Sequence, residues 1–299
     1  MHSNVQVIGV LGGKGGTGKT TIALSIAYLL AKMKHDVVYI DADVDNPSSK
    51  VFMEQVEIVK ELKAFIPSID TRKCTGCSIC VRNCPENALV APPGRPPSLI
   101  AELCNGCTIC KIVCPHDAVK EDYRIMGYIW RGKLKDLVVI GGEIVPGDER
   151  SPLVAHLLID YVKDNVKNKI LLVDCPPGAG SIISEVLNIS NIVLVITEPT
   201  PMGIHDLKLV LDLNKRFKRQ CIIVVNKVGE FDGWESFIRE VWEIAKGLPF
   251  VYTLTMVPYD EVVHTAYSSG DLNKLMDEKR PFYRVINSLA RLVEGVFND

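Results

Sequence analysis

Apolar residues in this chain fall in short dense runs separated by glycine-rich or polar stretches. Val5 to Leu11 is one such run. Glycines follow it, and then a stretch from about Lys19 to Met33 in which Ile22, Ile26, Leu29 and Leu30 recur at helical spacing. A second, β-branched run, Val37 to Ile40, ends on Asp41. Strand, loop, helix and strand in this order are the unit of a parallel α/β sheet. The rhythm returns further on, with strands expected at Leu137–Ile140, Ile170–Val173, Ile192–Ile196, Ile222–Val225 and Val251–Met256. Helices are expected near 151–166, 180–188, 203–217 and 233–246, with a final amphipathic stretch from Phe282 to Phe297.

Between roughly Val56 and Tyr123 the alternation stops. This segment contains a proline-rich connection (Pro92, Pro93, Pro96, Pro97) and an internal repeat. Cys74-Thr75-Gly76-Cys77-Ser78-Ile79-Cys80 matches Cys104-Asn105-Gly106-Cys107-Thr108-Ile109-Cys110, and each copy is followed by Cys-Pro, at Cys84-Pro85 and Cys114-Pro115. The expected organisation is therefore a discontinuous α/β domain, residues 1–55 and 124–299, split by a small module at 56–123.

Composition narrows the classes. With 47% apolar residues, 23% charged residues and a formal net charge of −2, the chain has neither the basic footprint of a nucleic-acid binder nor a polybasic membrane patch. Met1 to Gln6 lacks the basic start of a signal peptide, and no segment approaches the roughly 20 apolar residues of a membrane span. The expectation is a cytoplasmic protein with no nucleic-acid partner and no stable membrane anchor. Of its 10 cysteines, only Cys175 and Cys221 lie outside the span from Cys74 to Cys114. Disulfides are rare in reducing compartments, so clustered thiols point to metal.

Two constellations carry candidate chemistry. Gly13-Lys14-Gly15-Gly16-Thr17-Gly18-Lys19-Thr20, with Thr21 after it, fits G-x-x-x-x-G-K-[ST] between an expected strand and helix. Such a loop wraps backbone N–H groups around phosphates at a helix N-terminus. Lys19 is expected to reach the β- and γ-phosphates and Thr20 to ligate Mg²⁺. Leu171-Leu172-Val173-Asp174 reads as a strand ending in the carboxylate that helps hold magnesium, followed by a stiff turn, Cys175-Pro176-Pro177-Gly178, suited to sensing the γ-phosphate through a backbone N–H. Asp41 and Asp43 fall at another strand end, where ligands of parallel sheets bind; the plainer alternative is a pair of solvated strand-end acids. Adenine is the expected base, because Asn226-Lys227 is followed by Gly229 where a guanine reader would carry aspartate.

The second constellation is the repeat. Each copy reads C-x2-C-x2-C-x3-C-P, the run of two-cluster bacterial ferredoxins, in which the fourth cysteine ligates the other cluster. Cys74, Cys77, Cys80 and Cys114 are expected to hold one [4Fe-4S] cluster, and Cys104, Cys107, Cys110 and Cys84 the other. Zinc is the rival, but it has no use for a third cysteine two residues on or for the repeated Cys-Pro. The fold class implied is an α/β P-loop NTPase with a mainly parallel sheet flanked by helices, plus an inserted two-cluster ferredoxin-like domain.

Lys14 directly before Gly15-Gly16 makes the chain resemble the deviant Walker A class of MinD, ParA, arsenite-pump ATPases and the nitrogenase iron protein. The resemblance is closest to MinD superfamily ATPases with an inserted ferredoxin domain. Thr197-Glu198-Pro199-Thr200-Pro201, Val225-Asn226-Lys227 and Val257-Pro258-Tyr259-Asp260 extend it over nearly the whole chain. The resemblance implies slow ATP hydrolysis in an ATP-dependent homodimer or paralogue heterodimer, with Lys14 reaching the phosphates of the other subunit. It also implies that Asp43 orients the attacking water, Asp41 supports magnesium and Asn226 contacts adenine. The function expected from the combination couples nucleotide state to electron transfer, with an unidentified redox or cofactor-assembly protein as partner. The alternatives are an ATP-dependent iron–sulfur cluster carrier and a positioning ATPase whose clusters sense redox state. Cys175 is expected to be a small buried residue, His116 and His205 surface residues, and Trp130, Trp234 and Trp242 packing residues.

Overall fold

The computed structural model describes residues 5–167 and 169–296. Met1 to Asn4, part of the stretch read for signal-peptide features, and Phe297, at the end of the expected final helix, lie outside the described residues. In chain order the strands are β1 (Gln6–Leu11), β2 (Val37–Asp41), β3 (Val56–Ile69), β4 (Leu89–Val90), β5 (Ser98–Leu99), β6 (Val119–Leu134), β7 (Leu137–Ile144), β8 (Ile170–Asp174), β9 (Ile192–Thr197), β10 (Gln220–Val228) and β11 (Val251–Pro258). The helices are α1 (Lys19–Lys32), α2 (Ile79–Arg82), α3 (Ile109–Ile112), α4 (Ser151–Asn165), α5 (Ser181–Ile189), α6 (Pro201–Phe217), α7 (Trp234–Lys246), α8 (Glu261–Ser269), α9 (Leu272–Leu275) and α10 (Pro281–Val296).

The chain divides into two compact units. The first comprises residues 1–59, 129–143 and 155–299; the second comprises 60–128 and 144–154. A nine-stranded sheet has the order β11-β10-β9-β1-β8-β2-β7-β6-β3. Strands β11, β10, β9, β1, β8, β2 and β7 pair in parallel. The two-residue link Lys135-Asp136 between neighbours β7 and β6 can only make an antiparallel hairpin, and Lys135 adopts φ 55° there.

In the first unit, the innermost strands β8 and β9 are apolar up to their last residues, Asp174 and Thr197, because helices cover both faces of a parallel sheet. All residues of β9 and β8 are buried, and β1 is buried from Val7 onward. Helix α1 is buried nearly all round, including Ile22, Leu24, Ile26, Leu29 and Leu30, because the sheet lies on one side and α10 packs on the other. Helix α10 presents Phe282, Ile286, Leu289 and Val293 to that core. Strand register then sets where the polar groups fall. Asp174 of β8 lies opposite Val10 of β1 and opposite Asp41 of β2, so the strand ends converge where the glycine loop begins.

In the second unit the repeat is also a structural repeat. Ser78 and Thr108 precede α2 and α3 with left-handed backbones (φ 58° and 64°), and Asn87 and Asp117 match likewise (φ 50° and 47°). Around the cysteines of this unit one cluster of buried apolar side chains, Cys80, Leu89, Cys110 and Val119, has Phe65, Ile69, Val81, Leu99, Val113 and Cys114 packed against it.

Trp130 is buried as expected, whereas Trp242 is 50% exposed, because it lies on the outer face of α7 next to the buried Val241. Trp130 fits because residue 141 is glycine: a Cβ there would lie 2.2 Å from the indole. Its Nε1 donates to Gly142 O at 3.2 Å, and the Lys50 ammonium lies 5.0 Å from the ring centroid. Trp130→Ala is expected to cost about 3–5 kcal/mol, measured as a lowered urea midpoint. A loss below about 1 kcal/mol would show that this side chain does not anchor β6.

Candidate functional site

The glycine loop links β1 to α1, and its shape is set by what lies behind it. A Cβ at residue 13 would sit 2.0 Å from Asp206 Cβ, so only glycine lets α6 approach there. Gly18 caps α1 at φ 88°, and a Cβ at that position would meet Asn226 Nδ2 at 2.3 Å. Asn226 Nδ2 donates to Thr17 O at 2.8 Å, tying the end of β10 to the loop. Lys19 Nζ donates across the loop to Lys14 O at 2.9 Å, and Gly178 N–H donates to Gly12 O at 3.3 Å. The turn after β8 thus hangs from the start of the glycine loop.

Beneath the loop lie two buried carboxylates, Asp41 and Asp174, each 1% exposed. Thr20 Oγ1 donates to Asp174 Oδ2 at 2.6 Å, and Tyr39 OH donates to the same oxygen at 2.9 Å. Asp41 accepts from Ser49 Oγ at 2.5 Å, from Ser49 N–H at 3.2 Å and from Asp43 N–H at 3.2 Å. Burial raises the Asp41 carboxyl to about 8, helped by the negative Asp174 and opposed by the Ser49 bonds. Burial likewise raises Asp174 to about 6, against the opposing pull of Thr20, Lys19 and Tyr39. Asp43 is raised by burial and held back by Lys19; Lys19 is lowered by burial, with Asp174 and Asp43 opposing.

Asp174 Oδ1 is buried without a hydrogen-bond partner. A carboxylate oxygen so placed, beside a threonine hydroxyl, is the all-oxygen donor chemistry of a magnesium site. Thr20 and Asp174 therefore fit that ion.

A cleft of about 670 Å³ opens over the loop. Gly15, Gly16, Gly18, Lys19, Thr20, Thr21, Asp43 and Asn226 line it, together with Pro258, Tyr259 and Asp260. Gly13, Lys14, Thr17, Asp41, Asp174 and Gly178 do not form its walls. Lys14 turns instead to Glu198, a residue only 5% exposed, with which it forms an ion pair. Lys227 Nζ reaches the other oxygen of Glu198 at 3.2 Å. Tyr39, Ser49, Glu198 and Asp206 are absent from the site expected on sequence grounds. Only Glu198 stands within a motif, and its partners cannot be read from that motif.

The cysteines of the repeat form two groups. Cys74, Cys77, Cys80 and Cys114 line one pocket with Ile69, Pro97 and His116. Cys84, Cys104, Cys107 and Cys110 line another with Phe65, Pro67 and Glu86. Each pocket thus draws three thiols from one repeat and one from the other. Ala118 N–H donates to Cys114 Sγ at 3.3 Å, and Ala88 N–H donates to Cys84 Sγ at the same distance. Among the described residues, no three or more His, Cys, Asp or Glu converge closely enough to hold a single metal ion. Cys175 and Cys221 are buried in the sheet, and burial pushes both thiols up.

A phosphate loop on a mainly parallel sheet, with strand-end carboxylates beneath it, defines a P-loop NTPase. Residues 8–273 match the model of the CobQ/CobB/MinD/ParA nucleotide binding domain, and the chain belongs to that family, among the P-loop ATPases of MinD/ParA type. It is 31% identical over 230 residues to the uncharacterised protein MJ0578 of Methanocaldococcus jannaschii, spanning 75% of this chain and 79% of that one. A shorter stretch is 38% identical over 71 residues to the iron-sulfur cluster carrier protein of Clostridium perfringens, spanning 23% of this chain and 24% of that one. The fold is also that of the septum site-determining protein MinD of Pyrococcus horikoshii, solved with Mg-ADP: TM-score 0.55, 15% identity, 97% and 96% of the two chains. Among the described residues, no helix is long and apolar enough to cross a membrane.

The buried acids make stability depend on pH in a defined direction. Asp174 titrates at about 6 in the folded chain against an ordinary 3.8, so its contribution is complete below about 3.8 and is lost as pH rises through 6. In metal-free protein, Asp174→Asn is expected to flatten that decline, by roughly 3 kcal/mol at 1.36 kcal/mol per pKa unit. Urea midpoints at pH 4 and pH 8 measure it, and an unchanged slope would remove the assignment.

Proposed function

We propose that the chain is a MgATP-hydrolysing iron–sulfur protein in which nucleotide state governs electron passage through two [4Fe-4S] clusters, serving iron–sulfur or metal-cofactor maturation. In this reading residues 56–123 are a ferredoxin-like module inserted into a deviant Walker A ATPase at 1–55 and 124–299. The observation that carries it is the exchange of the fourth cysteine: three thiols of each repeat share a pocket with the last thiol of the other. That donor set fits a cubane, and the Sγ atoms of Cys84 and Cys114 each accept a backbone N–H, as sulfur ligands of a cluster do. When bound, the clusters supply one-electron chemistry.

The residues of the nucleotide site divide the work of hydrolysis. The glycine loop binds the phosphates through backbone N–H groups, and Lys19 neutralises charge on the β- and γ-phosphates. Thr20 and Asp174 hold magnesium, with Asp41 supporting them. Asp43, on the cleft wall, orients the attacking water and accepts its proton. Lys14 belongs to the phosphates of a second subunit, which requires it to leave Glu198; hydrolysis is therefore slow without dimerisation. Gly178 couples the γ-phosphate to the turn after β8 through its link to Gly12. Asn226 stands on the cleft wall for the adenine.

A second reading, an ATP-dependent cluster carrier, is favoured by the stretch shared with the Clostridium perfringens carrier protein. Anaerobic potentiometry with and without magnesium and a non-hydrolysable ATP analogue separates the two. Coupling of about 1–3 kcal/mol between sites corresponds to a shift of roughly 40–130 mV for a one-electron couple. A shift in that range supports gated electron transfer, and none supports the carrier.

Lys19→Ala is expected to abolish ATP hydrolysis while iron stays at about eight atoms per chain, the content of two four-iron clusters. Asp43→Ala is expected to bind ATP without turning it over. Iron loss in the first variant, or normal turnover in the second, would contradict the assigned roles. Cys77→Ser is expected to damage one cluster first, and unchanged electron spin resonance spectra would refute its ligand role.

A further inference from the structure

We infer that Arg150 is a tuning residue for the second cysteine site, its buried guanidinium fixed beside the Gly106 turn of the loop that carries Cys104 and Cys107, where it acts on the anionic iron–sulfur group held by Cys84, Cys104, Cys107 and Cys110. The inference rests on the reading of the two cysteine pockets as cluster sites.

Arg150 lies far along the chain from the repeat, yet residues 144–154 belong to the same compact unit. Its guanidinium is fixed by Asp148, which accepts from Nε at 2.7 Å and also from Nη2. Asp148 accepts as well from Arg124 Nη2 at 3.1 Å. One carboxylate thus serves two guanidiniums, so the group carries a net positive charge. It is largely out of water, with Asp148 5% and Arg150 12% exposed. Arg150 Nη1 is buried and has no hydrogen-bond partner. A buried cationic N–H left unpaired is costly, so its place in the fold calls for an anion.

The nearest cysteine loop identifies that anion. Arg150 Nη1 lies 3.8 Å from where a Cβ of residue 106 would stand, beside Phe65 O at 3.3 Å. Gly106 sits between Cys104 and Cys107, and Phe65 lines their pocket. The first repeat provides an internal control. The three nearest neighbours of the equivalent position at Gly76 are backbone atoms of Gly94 and Arg95, at 2.3–2.7 Å. Both loops of this pattern thus meet peptide backbone, Phe65 in the second case, but only the second also has a fixed cation among its three nearest neighbours.

A cluster bound by four thiolates gains negative charge on reduction, so a fixed cation beside its loop favours its reduced form. Arg150 should raise the potential of the second site alone, leaving the two sites unequal and giving a resting electron a preferred home.

The test is anaerobic potentiometry by electron spin resonance on the iron-loaded full chain, comparing wild type with Arg150→Met and Arg150→Gln. The wave missing from Cys77→Ser protein identifies the first site. In both Arg150 variants the other wave is expected to move about tenfold in equilibrium toward the oxidised form, about 59 mV more negative. The first wave should stay in place. Equal movement of both waves, or movement of neither, overturns the inference. So does loss of iron from both variants, since a tuning residue leaves ligation intact. Wild-type protein that binds no iron under full iron supply would instead sink the cluster reading itself.

Discussion

The nucleotide unit depends on one unfavourable placement: two carboxylates, Asp41 and Asp174, buried side by side at the ends of neighbouring strands. Taking either charge out of water is costly, and the negative Asp174 raises Asp41 further. The surroundings are arranged around that cost. Ser49 satisfies Asp41, Thr20 and Tyr39 satisfy one oxygen of Asp174, and Lys19 supplies the nearest positive charge. One oxygen of Asp174 is left over, and a divalent cation would resolve it. The glycine loop, α1 and the turn at Gly178 are all tied to this corner by short-range bonds, so occupancy of the cleft can be felt at Gly178.

The cysteine unit depends on a different constraint. The cluster of buried apolar side chains around its cysteine pockets includes two cysteines of the repeat, Cys80 and Cys110. A cluster built partly from thiols depends on what those thiols hold, and small domains commonly draw stability from metal or cross-links. Exchanging the fourth ligand between repeats would bind the two halves to each other, so folding of the unit and loading of its sites are expected to be linked. Polar groups near the loops matter as well: a largely buried ion group such as Asp148 with Arg124 and Arg150 has a large say in the local field.

Local patterns are readable wherever the chemistry is contiguous. The apolar runs of β1, β2, β8, β9 and β10 and the periodicity of α1 can be read directly, because fully buried strands and an enclosed helix leave no polar positions to confuse them. The glycine loop is legible because backbone wrapping around phosphate demands glycine at fixed offsets. Strands β3 and β6 are not legible in this way. Most of β3 is exposed, with Glu57, Lys60, Glu61 and Lys63 interrupting its apolar residues, and β6 alternates only toward its end, at Trp130, Gly132 and Leu134. Trp242 departs from its expected packing role because an amphipathic period says which face is apolar on average, not where one aromatic stands.

By itself the sequence determined the class of sheet, the phosphate loop with its lysine and threonine, and the grouping of cysteines by repeat, since each is written in neighbouring residues under steric or coordination rules. Only the tertiary structure decided which distant groups complete those sites. Tyr39 reaches Asp174 across 135 residues, Asn226 reaches Thr17 across 209, and Lys14 finds Glu198. Arg150 likewise comes to rest against Gly106. The reason is physical: burial and charge pairing are properties of position in space, and they become fixed only when strand register and packing bring remote residues into the same dry volume.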